Sequence, residues 1–171
     1  MRLSLVALIL SGLATGCFLG PTRSVCVLDY QVISAGPEHT HLARAIPEFL
    51  THELSQNPRL EVQDPQDVDR YLSDLEQRWT VRDHSRLQGL GMALGSDYFV
   101  LGSVTSLGPR FVVESRLFSI ERGAIVPGTA FRRICQDEQD ILMQIESIAE
   151  QLRHQILART PEPKQQTTRS Q

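Results

Sequence analysis

With 171 residues, 41% of them hydrophobic and 22% charged, the chain has the make-up of a globular protein large enough for one core. A net charge of −3, from 17 basic and 20 acidic residues, excludes the clustered basic surface that nucleic acid demands. No apolar run reaches the roughly 20 residues that a membrane-spanning helix needs.

The first sixteen residues differ from all that follow. Arg2 supplies a positive start, Leu3 to Leu10 form an apolar run that Leu13 extends, and the run closes on Leu13-Ala14-Thr15-Gly16-Cys17. This is the layout of a signal peptide, with small residues directly before a cysteine. The stretch resembles the bacterial lipobox, although Ala14 stands where Leu is more usual. The resemblance implies cleavage after Gly16 and acylation of Cys17; an ordinary cleaved signal with a free cysteine nearby is the alternative. Phe18 follows the cysteine, where Asp would mark inner-membrane retention in proteobacteria, so the expected location is the periplasmic face of the outer membrane. Two or three acyl chains hold far more firmly than one. Residues 17–23 form a short tether: Phe18 to Ser24 stretches only about 25 Å at ~3.5 Å per residue.

A body from Ser24 to Arg159 follows. Ser24 to Ile33 is a nearly continuous apolar run, expected as one strand buried on both faces. From Thr40 to Gln56, Leu42, Ala45, Ile46, Phe49, Leu50 and Leu54 recur at helical spacing, with Pro47 expected to kink or restart the helix and Asn57-Pro58 to stop it. Leu60-Glu61-Val62 is a short strand. Asp64-Pro65 opens a second helix carrying Val68, Tyr71, Leu72 and Leu75 inward. A third begins near Asp83, aligns Leu87, Leu90 and Leu94, and ends at Gly95.

Three strands come next: Tyr98–Thr105, Arg110–Ser119 and Ile125–Cys135. Leu107-Gly108-Pro109 and Glu121-Arg122-Gly123 supply the turns. In the middle strand Glu114 and Arg116 share a face with Val112 and Phe118, which implies a face only partly solvated. Ile141, Leu142, Ile145, Ile148, Ala149, Leu152 and Ile156 then make one apolar stripe of a last helix. The order β-α-β-α-α-β-β-β-α predicts an α/β domain with a mixed β-sheet and helices packed on it. Residues 160–171 have nothing to bury and read as a disordered tail.

Chemistry is sparse. With Cys17 acylated, Cys26 and Cys135 remain as an even pair; a disulfide between them and two buried free thiols both fit the sequence. Gly89-Leu90-Gly91 lies late in a helix and before a strand, the reverse of a phosphate-binding loop, so close helix packing is expected instead. His39, His41 and His52 lack the pattern of a zinc site and are expected as solvent-facing polar residues. Glu114, Asp97 and Asp29 are scattered carboxylates with nothing to mark an acid–base pair. Trp79 lies between two helices, where a half-buried core residue is expected and an exposed anchor for a partner is the alternative. No catalytic, cofactor or metal residue is expected.

Val25-Cys26-Val27-Leu28-Asp29-Tyr30 resembles the opening strand of the curli-secretion (CsgG-like) and TolB amino-terminal domain group, and Leu42 to Leu54 its first helix. Leu90 to Thr105 resembles that group's passage from helix to strand, and Arg116 to Gly123 its hairpin. The likeness spans roughly Ser24 to Leu157. It implies a non-enzymatic envelope module that binds or assembles proteins, with self-association left open. The chain lacks the long alternating insertions of the curli pore, and its short tether does not suit a long-reach activator. A small-ligand or peptidoglycan-binding domain is the alternative.

Overall fold

The computed structural model describes residues 21–64, 66–68, 70 and 83–159. The expected signal peptide, Cys17, Tyr71, Leu72, Leu75, Trp79 and the tail lie outside the described residues.

The opening run makes two strands rather than one: β1 (Arg23–Val27) and β2 (Gln31–Ile33). Both run parallel to β4 (Tyr98–Leu107), but Val27 pairs with Val100 whereas Gln31 pairs with Ser103. Four residue steps therefore oppose three, which is a bulge. The extra residue turns the Tyr30 side chain into the core, where its hydroxyl meets Ser115 Oγ at 2.7 Å. Its ring lies over Gly102, where any Cβ would collide with it.

The bulge explains a proline. Helix α1 (Leu42–Ser55) is continuous through Pro47, which neither breaks nor restarts it. Proline has no N–H to give the carbonyl four residues back, that of Ala43. Tyr30 N donates to that same carbonyl at 2.8 Å. The bulge and the proline thus satisfy each other's orphaned groups.

The second expected helix starts as its sequence implies: Asp64 Oδ1 accepts from Gln66 N at 2.8 Å, and residues 66–68 are helical. Helix α2 (His84–Leu94) is capped by Asp83, whose side chain accepts from Arg86 N, and closed by Gly95 in the left-handed conformation at φ 68°. Helix α3 (Glu138–Leu157) is capped by Asp137. Its stripe is buried as expected except for Leu142, which is exposed.

The sheet has seven strands in the order β3-β1-β4-β5-β6, with β2 beside β4 and β7 beside β5. Here β3 is Leu60–Val62, β5 Arg110–Ser119, β6 Ala124–Ile125 and β7 Phe131–Cys135. Strands β1 to β4 pair in parallel, and β5 to β7 join antiparallel, so the sheet is mixed. The expected strand Ile125–Cys135 is split into β6 and β7 by a turn at Gly128, φ 74°. Buried Thr129 fastens that turn: Oγ1 donates to Val126 O at 2.7 Å and accepts from Leu117 N at 3.1 Å.

Alternate residues of the strands build two cores. Val25, Val100, Val104, Val113 and Leu117 face α1 and α3, meeting Ile46, Leu50, Ile148 and Leu152 in the larger one. Cys26, Phe99, Leu101 and Phe118 face the other way, meeting Leu87 and Leu90 of α2. Gly91 lets α2 approach closely, because a Cβ there would strike Ile120. Among the described residues no helix is long and apolar enough to cross a membrane.

Candidate functional site

Helix α2 covers only part of the second face. Beyond it, among the described residues, the sheet is open, and the register fixes what it displays. Ile33 pairs with Thr105, Thr105 with Val112, and Val112 with Ile134, so these four form one straight rung across β2, β4, β5 and β7. Gln31, Ser103, Glu114 and Arg132 form the next. Leu107 pairs with Arg110 at one end, and Leu101 with Arg116 at the other.

Three apolar members of this surface are wet. Ile33 is 44% exposed, Leu107 61% and Ile134 62%. Burying a fully exposed side chain of this kind is worth about 1.5–3 kcal/mol, so covering the exposed half of each would be favourable by about half that. An open groove of about 440 Å³ runs along the surface, lined by Ile33, Ser103, Thr105, Glu114, Arg116 and His84 among others. The ring of His84, the first residue of α2, stands edge-on to Phe118, with centroids 5.4 Å apart, and borders the groove.

Glu114 is the most enclosed charge here, its side chain 17% exposed. Arg116 Nη2 and Nε donate to Oε1 at 2.7 and 3.2 Å, and Arg132 Nη2 donates to Oε2 at 3.4 Å. Burial pushes its carboxyl up, but Arg116 and then Arg132 outweigh that and hold it below the usual carboxylate range. A carboxylate held ionised and doubly paired is a poor proton acceptor. Its evident role is to fix two arginines on the surface.

The remaining expected positions are structural. Cys26 and Cys135 are both free and buried, and the disulfide does not form. They belong to cores on opposite faces of the sheet. The register also separates them by three strand spacings of ~4.8 Å and seven residues along the strands at ~3.3 Å each, far beyond the ~7 Å limit between bridged Cα atoms. Burial raises the Cys26 thiol to about 12. Cys135 rises to about 11, through burial and then the charge of Asp140. Asp97 Oδ2 accepts from Ser24 N at 3.0 Å, tying β1 to the start of β4.

His39 and His41 are not simply solvated. Glu138 lies between them, with Oε1 2.6 Å from His39 Nδ1 and Oε2 3.2 Å from His41 Nε2. His39 also stands edge-on to Phe111 at 4.9 Å. The His39 hydrogen bond, opposed by partial burial and joined by His41, lowers the Glu138 carboxyl. This cluster pins the start of α3 to the segment before α1. Among the described residues no group of three or more such side chains could hold a metal ion.

The open rung was not evident from sequence. Ile33, Arg132 and Ile134 carry no motif, and only the alternation of Arg132 and Ile134 in a short strand hinted at a shared face.

Among the described residues the fold is a mixed α/β sheet with one face closed by helices and the other half open. No family profile and no curated relative matches the sequence. Solved structures do. The lipoprotein GNA1162 from Neisseria meningitidis superposes with a TM-score of 0.57 at 15% identity, over 76% of this chain and 96% of that one. The LpoB C-terminal domain from Salmonella enterica gives 0.55 at 15%, over 68% and 84%. The hypothetical protein CT253 from Chlamydia trachomatis gives 0.54 at 10%, over 81% and 99%. At such identities the likeness establishes the fold, which is therefore one found among bacterial lipoproteins.

Proposed function

We propose that the protein is an envelope lipoprotein, acylated at Cys17, that binds or assembles other proteins close beneath the outer membrane without catalysing a reaction. The observation that carries this is the lipobox-like Leu13-Ala14-Thr15-Gly16-Cys17, set six residues before a domain whose fold recurs in a lipoprotein. Kinship with the curli-secretion group, self-association and the periplasmic face of the outer membrane belong to the same proposal. Six extended residues reach only about 20 Å at ~3.5 Å each. The partner must therefore lie near the membrane or extend to it.

Metabolic labelling with a palmitate analogue, followed by membrane fractionation, tests the anchor. The wild type should label and sediment with the outer membrane, and Cys17→Ser should do neither. A Cys17→Ser protein that still labels would overturn the proposal. A second function, binding of a small polar ligand such as a muropeptide, is favoured only by the polar lining of the groove at Gln31, Ser103 and Glu114. A muropeptide that raises the melting temperature would support it, because a ligand bound only to the native state stabilises that state.

A further inference from the structure

We infer that the open half of the sheet is a docking surface for an acidic amphipathic helix of a partner protein. The inference rests on the protein-binding function proposed above and names the chemistry of its site.

Size comes first. The Ile33-to-Ile134 rung crosses four strands, or three spacings of ~4.8 Å, and the rows from Arg116 to Arg110 extend six residues at ~3.3 Å each. A strip about 14 Å wide and about 20 Å long accepts one helix, whose diameter with side chains is about 10–12 Å. Some 13 residues would cover it at ~1.5 Å each. Helices are also what the rest of this sheet accepts: α1 and α3 fill one face, and α2 fills the adjoining part of this one.

Charge selects the helix. Among the described strand residues of β2, β4, β5 and β7, Arg110, Arg116 and Arg132 share this face with one carboxylate, Glu114, an excess of two positive charges on a chain whose net charge is −3. The apolar rung lies between Arg110 on one side and Arg116 and Arg132 on the other. A matching helix carries an apolar stripe with Asp or Glu on its flanks. A second copy of this chain does not fit, since a two-fold contact through this face would set its excess of positive charge against the same excess. A flat membrane surface does not fit either. The groove is recessed beside α2, and a lipid plane would leave it unfilled.

The test is selection from a displayed library of helical peptides against the purified full chain. Selected peptides should combine acidic residues with apolar ones three and four apart. Their affinity should fall at least about tenfold with Arg116→Glu and with Ile134→Glu, weaken with salt, and remain unchanged with Met92→Glu, an exposed position on α2. Peptides with Lys in place of the acids should regain binding to Arg116→Glu. The two main variants alter exposed side chains, and an unchanged thermal melt shows that they fold. Should a melt change, Arg132→Ala supplies the same comparison. Selection of basic peptides, equal binding to all variants, no selection at all, or binding of phosphatidylglycerol vesicles through these same residues would each overturn the inference. Its failure is separable from that of the proposed function: labelled, membrane-bound protein without peptide selection removes only the docking helix.

Discussion

The two faces of this sheet are written by alternate residues of the same strands, yet they end in different states. On one, β4 and β5 contribute Val100, Val104, Val113 and Leu117, and two helices cover them completely. On the other, the same strands contribute Phe99 and Phe118 under α2, but Ser103, Thr105, Glu114 and Arg116 beyond it. The first face is organised by volume, where every methylene has neighbours. The second is organised by register, where side chains gain their arrangement from the rungs of the sheet and keep much of their surface in water. Stability belongs to the first face and to the part of the second under α2, whereas the exposed side chains beyond α2 can be altered with little loss of fold.

That contrast can be broken by substitution. Leu152→Ala on α3 empties a fully buried position and should cost about 2–5 kcal/mol, read as a fall in the denaturation midpoint. A smaller loss is expected of Tyr30→Phe, which strands the buried Ser115 hydroxyl at a cost of about 1–2 kcal/mol in the same assay. On the open face, Glu114→Gln should act mainly through pH. Because the folded pKa of Glu114 lies below its ordinary value of 4.5, the charge stabilises the fold above that value, and the benefit is lost as pH falls through the folded pKa. Wild type should therefore lose more stability than Glu114→Gln between about pH 7 and about pH 3. The smallest effect belongs to Ile134→Ser, within about 0.5 kcal/mol of wild type, since the side chain is already wet. A large loss there would mean that the rung is part of the core.

Most elements were legible because each carried its own punctuation. Asp83 and Gly95 bracket α2, the apolar stripe from Ile141 to Ile156 defines α3, and Gly108 closes the hairpin of β4 and β5. The bulge after Val27 was not legible, since its cause lies in the orphaned carbonyl of Ala43, which meets Tyr30 only in the folded chain. The same holds for the cysteines. An even pair in sequence says nothing of which face each occupies, and the pleat sends Cys26 and Cys135 to opposite sides. Glu138 escaped notice because its histidine partners lie almost a hundred positions away. The open face was only half visible: Glu114 and Arg116 could be placed on it, but Ile33 and Ile134 needed the strand order.

The corner where β1 begins has a mechanical consequence. Arg23 Nη2 donates to Arg159 O at 2.6 Å, so the first strand and the end of the last helix are clasped at one point. Any pull on the segment before Arg23 reaches the body through β1, which is hydrogen-bonded on both flanks to β3 and β4. Tension along that strand loads both ladders in shear, with their bonds sharing the force instead of parting one by one. A load applied at that corner would pass into the middle of the sheet and leave the domain its shape.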